Sequence, residues 1–179
     1  IDIPLQHINS DLLKAMKRGT THEKTDALLA KFREKVPDMA IRTTLIVGFP
    51  GETLEDFEAT KRLVEYCQYD SVYMFRYSIR KGTPSAGMED DVSFAEKTRR
   101  FIELEQIQRT ISNNKLAEYI NQTVEVLVER KNTKYQDQFT GHTTCHKVVN
   151  FKDCSDLLGK IISVKITENK SNTLFGIAV

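Results

Sequence analysis

The run Ile41–Val47 (IRTTLIV), followed at once by Gly48-Phe49-Pro50-Gly51-Glu52 and Thr53, limits what this chain can fold into more than any other segment. Seven residues rich in β-branched side chains read as a buried strand. Two glycines around a proline read as a tight turn. Thr53, with acidic residues just behind it, reads as a helix N-cap whose first turn complements the helix dipole. A strand that ends in such a turn and enters a helix is one βα unit, and the unit recurs. Ile1–Leu5 is a strand candidate, followed by a helix capped at Asn9 or Ser10 that runs to about Lys17 and is closed by Gly19. A second helix runs from about His22 to Val36, with Leu28, Leu29, Phe32 and Val36 as its apolar stripe, and Pro37-Asp38 ends it. The helix after Thr53 sets Leu54, Phe57 and Val64 on one face. Ser71–Tyr77 is the third strand, closed by Lys81-Gly82-Thr83-Pro84. A long helix from about Phe94 to Tyr119 follows, with Phe101, Leu104, Ile107 and Ile111 on its buried side.

This alternation predicts parallel strands joined by right-handed crossovers, with functional groups gathered at the strand C-termini. Three units cannot close a barrel, so the expectation is an α/β half barrel whose missing half lies N-terminal. The chain opens inside an apparent strand, without an initiator Met. After Ile120 the pattern changes to short alternating strands, Thr123–Glu129, Gln138–Gly141, Lys147–Phe151, Ile161–Thr167 and Thr173–Val179, separated by polar turns. Val124, Val126 and Val128 share one face, with Glu125 and Glu129 on the other. That predicts a small closed antiparallel β-barrel, OB-like in size. The predicted domains are residues 1–120 and 121–179.

Composition excludes some functions. The chain has 179 residues, 40% hydrophobic and 28% charged, which is ordinary globular usage. No stretch reaches the roughly 18 consecutive apolar residues of a membrane span. The net charge of +1 gives no strong nucleic-acid or membrane field, and the tail from Ile120 is only mildly basic. RNA binding there would depend on local placement of charge. Three cysteines, Cys67, Cys145 and Cys154, form no close pair. They point to a reducing, cytoplasmic compartment rather than a disulfide framework, and their spacing fits no thiolate metal motif.

The Gly48–Glu52 turn is the sharpest candidate site. Glycines allow close backbone approach and unusual torsions, and a helix N-terminus presents bare amides to a ligand. Pro50 stiffens the turn, and Glu52 offers a carboxylate to an ammonium or hydroxyl group. Taken alone, a glycine-bearing βα turn is commonly structural. Gln6 and His7 stand at the end of the first strand, the equivalent position at the barrel mouth. Arg76, Tyr77 and Arg80 near the third strand end suit an anionic or nucleotide partner; solvated charge beside a packed tyrosine is the alternative.

The segments IDIPLQH, LLKAMKRG, IRTTLIVGFPGET, YDSVYMFRYS with RKGTP, and VEVLVE resemble, in that order, the second half of MiaB/RimO-type radical-SAM methylthiotransferases. IVGFPGET followed at fixed distance by YSIRKGTP carries the specificity. The resemblance implies a (β/α)6 partial barrel whose last three strands are the three above, then a TRAM domain of RNA-binding character. It also implies S-adenosylmethionine (SAM) and two 4Fe-4S clusters as cofactors. Gly48, Phe49, Pro50, Gly51 and Glu52 match the motif that lies beside SAM in the family. Thr44 and Ile46 share strand parity with Gly48 and so face the barrel interior. Gln6, His7, Arg76, Tyr77 and Arg80 are the substrate-side candidates.

The radical-SAM CxxxCxxC fingerprint is absent, so this polypeptide is expected to supply no metal ligand and no catalytic residue by itself. The family's two branches differ in substrate. One modifies the hypermodified adenosine beside the tRNA anticodon, the other an aspartate of a small-subunit ribosomal protein. DIPLQH and IRTTLIVGFPGE lean to the ribosomal branch. YMFRYS, the stretch from Asp137 through Gly141-His142-Thr143 to Phe151, and VKITE lean to the tRNA branch, which the RNA-reading domain favours. A non-catalytic RNA-binding module is the further alternative. His142, Lys147, Phe151, Lys165 and Lys170 are the candidate RNA contacts, lysines for phosphates and the aromatic ring for stacking.

Overall fold

A computed structural model describes residues 1–132, 138–153 and 156–179. The chain divides into two compact units, Ile1–Ile111 and Ser112–Val179.

The first unit is a three-stranded parallel sheet in the order β1-β2-β3, with β1 at Asp2–Gln6, β2 at Arg42–Val47 and β3 at Ser71–Arg76. Helix α1 (Ser10–Ala15) and helix α2 (His22–Lys35) connect β1 to β2, and α3 (Leu54–Cys67) connects β2 to β3. The expected caps are present. Asn9 accepts from the amides of Asp11 and Leu12, and Thr53 forms a reciprocal capping box with Asp56. α1 ends at Ala15, earlier than expected, and Lys17, not Gly19, takes the left-handed turn (φ 56°).

Burial on β2 alternates strictly: Thr43, Leu45 and Val47 are buried, while Arg42, Thr44 and Ile46 are half-buried. The buried set packs with Phe57, Leu63, Val64, Tyr69, Leu104 and Ile111 in one core. The opposite sheet face carries Thr44 and Ile46, paired with Tyr73 and Phe75 of β3, whose rings are half exposed. Two helix stripes differ from expectation. On α2 the buried residues are Thr25 and Leu29, while Leu28 and Val36 are largely exposed. On α3 Leu54 is exposed, and Phe57, Thr60, Leu63, Val64 and Cys67 face inward. In both, a threonine occupies a helical spacing that an apolar count passes over.

Helix α4 spans Phe94–Ala117. Leu104 and Ile111 are buried and Phe101 and Ile107 partly so, as expected, but the same stripe continues through Lys97, Arg100 and Gln108.

The second unit is a closed five-stranded barrel of β4 (Thr123–Lys131), β5 (Gln138–Thr143), β6 (Val148–Lys152), β7 (Ile161–Lys170) and β8 (Thr173–Ala178), ordered β4-β5-β6-β8-β7. Four pairings are antiparallel. The fifth, β6 with β8, is parallel, because β7 intervenes in sequence and returns on the far side to close onto β4. Val126, Val128, Phe139, Val149, Phe151, Val164, Ile166 and Leu174 fill the interior. Closure brings strands into unusually close contact at two glycines. A Cβ on Gly141 would lie 2.2 Å from the Leu127 carbonyl oxygen, and one on Gly176 would lie 2.5 Å from that of Lys165. Among the described residues, no helix is long and apolar enough to cross a membrane.

Candidate functional site at the strand C-termini

Because β1, β2 and β3 run parallel, their C-terminal ends meet at one edge. A cleft of about 650 Å³ opens there, lined by Gln6, Thr44, Ile46, Phe49, Arg76, Tyr77 and Arg80, and also by Lys17, Arg18, Ser78 and Ser85. Pockets for small ligands generally fall in this size range. Seven sequence-predicted residues thus share one cavity. Phe49 and Tyr77 meet edge-on with centroids 5.1 Å apart, and the Tyr77 hydroxyl donates to the Ser85 carbonyl at 3.0 Å. Gln6 holds a left-handed backbone (φ 73°) where β1 ends.

The turn behind this wall folds onto itself. Gly48 (φ 71°) and Gly51 (φ 82°) take torsions that only glycine adopts without strain. The amides of Gly48 and Phe49 both donate to Oε2 of Glu52, the latter at 3.2 Å. The Gly51 amide donates to Asp91 at 2.8 Å. Glu52 is 4% exposed and its Oε1 accepts from Arg100 at 2.9 Å. Its carboxylate therefore braces the turn from inside, where the sequence suggested contact with a ligand. Pro50 is buried with it. None of Gly48, Pro50, Gly51 and Glu52 lines the cleft.

His7 is likewise drawn inward. It is 1% exposed, its Nδ1 accepts from the Asn9 amide at 2.9 Å, and its Nε2 lies 3.9 Å from Glu52. That leaves Nε2 as the protonated nitrogen, facing the carboxylate. Asn9 also donates to Asp56 at 2.5 Å, which ties the β1 loop to the start of α3. Burial pushes the His7 pKa down to about 4, with Asp56 opposing and Arg100 adding to the depression. The unfolded chain protonates His7 near 6.5 and the folded chain does not, so its contribution is complete above pH 6.5 and is lost as pH falls toward 4. The gap corresponds to about 3 kcal/mol. Glu52, raised by burial against the pull of Arg100, works in the opposite sense and offsets part of the loss. The expected result is a melting temperature of the first unit that falls between pH 6.5 and pH 4, and a shallower fall in His7→Asn. An equally steep fall in that variant would remove His7 as the cause.

Arg76 lines the cleft and is held at its tip by the start of α4. Its guanidinium donates to Thr98 at 2.8 Å and lies 4.8 Å from the Phe94 ring centroid. Arg80, Lys17 and Arg18 are exposed at the rim. Lys97 and Arg100 were not evident as site residues because they read as solvated helix charges. The available signal was spacing: extending the α4 stripe of Leu104 and Ile111 backward reaches both.

On the barrel, Phe151 is 2% exposed and stacks on Phe139 at 5.8 Å, so the role of base-stacking ring expected of it fails. It alternates inward with Val149, and the barrel interior takes it. Lys147 is 9% exposed, its amide donating to Thr143. His142 bonds Glu129 at 2.8 Å and stacks on His146 at 4.4 Å. Lys165 faces outward between Thr123 and Ile177, and Lys170 is exposed beside the Ser171-Asn172 turn.

Two parts of the chain match known families: residues 1–64 match the Radical SAM superfamily and residues 117–179 the TRAM domain. The chain thus joins a segment similar to the Radical SAM superfamily to a segment similar to the TRAM domain. Over 98% of its length it is 42% identical to the tRNA-2-methylthio-N(6)-dimethylallyladenosine synthase of Shouchella clausii (strain KSM-K16), of which it covers 34%. It is 41% identical to the protein of that name from Fusobacterium nucleatum subsp. nucleatum, of which it covers 40%. The chain thus spans between a third and two fifths of these curated relatives. Among solved structures, coproporphyrinogen III oxidase (HemN) from Escherichia coli, a radical SAM enzyme, shares the fold with a TM-score of 0.52 and 15% identity, over 79% of this chain and 40% of that one.

The cleft wall has the mixed apolar and polar lining that an adenosyl group would need. Ile46 and Phe49 give an apolar ledge, and Thr44 and Gln6 stand on the same wall. The clusters find no ligand set here. Among the described residues no three His, Cys, Asp or Glu side chains converge. Cys67 sits in the core and Cys145 is half-buried. Cys154 and Asp137 lie outside the described residues.

Proposed function

We propose that this chain forms the SAM-facing wall and the RNA-reading domain of a methylthiotransferase acting on the modified adenosine beside the tRNA anticodon, in the cytoplasm. The observation that carries the reading is the cleft itself, which gathers Gln6, Thr44, Ile46, Phe49, Tyr77 and Arg80 at the C-terminal ends of three parallel strands. In this reading Thr44, Ile46 and Phe49 hold the adenosyl group through side-chain contact, and Gly48 aims the Phe49 ring from behind. Glu52 acts from behind, by fixing the turn, and Pro50 and Gly51 shape it. When bound beside its cluster in a complete enzyme, SAM supplies the radical chemistry that the family resemblance implies. Gln6, Tyr77, Arg80, Lys17 and Arg18 also line the cleft, where cations and hydroxyls suit the sugar and phosphates of an RNA loop. His142, Lys165 and Lys170 contribute phosphate contacts on the barrel, while Lys147, sequence-predicted for the same role, is buried. The tRNA branch is favoured over the ribosomal-protein branch because the relatives that match along 98% of this chain carry the tRNA name.

Titration of the chain with millimolar SAM, followed by amide NMR, tests the reading. Ile46, Gly48 and Phe49 are expected to shift while Val126 and Val164 stay still. No shift at the three, with the sheet intact, would overturn it. An unmodified tRNA added in the same cell is expected to broaden Lys165 and Lys170, and to do so less as salt rises.

A further inference from the structure

We infer that Arg100, on a helix that contributes no lining to the cleft among the described residues, is a positioning residue that locks the Gly48–Glu52 turn into its ligand-facing shape. The inference rests on the reading above. The chain of contacts is short and buried. Arg100 is 5% exposed. Its Nη1 donates to Oε1 of Glu52 at 2.9 Å and to the Glu52 carbonyl at 3.0 Å, and its Nε donates to Glu96 at 2.8 Å. The other Glu52 oxygen receives the Gly48 and Phe49 amides. One guanidinium thus fixes one carboxylate, and that carboxylate fixes the two amides that set the direction of the Phe49 ring.

The same helix reaches the turn a second time. Lys97, 4% exposed, lays its stem across Gly48, so a Cβ there would meet Lys97 Cγ at 2.3 Å. Its ammonium bonds Asp90 at 2.5 Å and lies 5.0 Å from the Tyr77 ring centroid. Residues one helical turn apart therefore grip the turn from behind and support the Phe49–Tyr77 wall in front. A carboxylate this deeply buried takes a fixed position only when a charged donor does. In a chain without Arg100, Glu52 protonates or reorients and releases the two amides.

Hydrogen exchange of the 179-residue chain, read residue by residue by NMR, tests the clamp without any ligand. R100Q is expected to speed exchange at Gly48 and Phe49 by about tenfold or more, with Leu45 and Leu63 unchanged. R100K, which keeps the charge and loses the fork, is expected to recover part of that protection. E52Q provides an independent arm should R100Q fail to fold, and must open the same two amides. Wild-type protection at both amides in R100Q or E52Q, or equal acceleration at Leu45 and Leu63, overturns the assignment. A failed SAM titration leaves this result untouched, so the two readings fall separately.

Discussion

Substitution of Gly141 by alanine is expected to destabilise the C-terminal barrel by about 3 kcal/mol, at the upper end of what overpacking a close contact costs. The new methyl would stand 2.2 Å from the Leu127 carbonyl oxygen and 2.7 Å from Val126. Both neighbours belong to β4, which pairs with β5 through Val128 and Gly141, so the contact can relax only by parting the ladder. β4 is also the strand on which the barrel closes through β7. A strain at that position therefore opens the ring rather than an edge. Methyl NMR during urea unfolding reads it directly, with Val126 and Val149 losing their folded signals early and Leu45 and Val47 unaffected. Gly19→Ala, with nothing within 4 Å of the added methyl, is the control and should leave both units as they were. A Gly141→Ala barrel as stable as wild type would show that the strands tolerate a wider separation than the fold implies.

Replacing Glu52 by alanine is expected to cost the first unit at least about 3 kcal/mol, the range for breaking a buried pair and leaving its partner uncompensated. Two donors, the Gly48 and Phe49 amides, lose the carboxylate acceptor, and Arg100 Nη1 loses its ionic partner. Arg100 keeps Glu96 and the backbone carbonyls of residues 52 and 53, which holds the loss toward the lower end. Urea unfolding at pH 7, followed through Leu45 and Val47, measures it. A loss below 1 kcal/mol would mean that water replaces the carboxylate in the turn, and that the site is wetter than its burial indicates.

The strand–turn–helix order, the caps at Asn9 and Thr53 and the left-handed glycines 48 and 51 were all legible in the chain, because each follows from local torsion and hydrogen-bonding preferences. Strand parity placed Thr44 and Ile46 on the cleft side for the same reason. Side-chain direction at the strand ends was not legible. His7, Glu52 and Phe151 are residue types that serve equally well at a surface site or inside. Only packing decides whether an imidazole, a carboxylate or a ring meets solvent or a partner from a distant helix. Glu52 and Arg100 are 48 residues apart, and nothing in either neighbourhood announces the other.

The sequence by itself determined which segments are strand, turn or helix, and that the strand ends gather at one edge, since period and turn chemistry act over a few residues. Tertiary structure alone decided which polar groups face the cleft and which are sealed behind it. Burial turns a charge toward whatever partner makes its desolvation tolerable, and that partner is set by the fold, not by its neighbours in the chain.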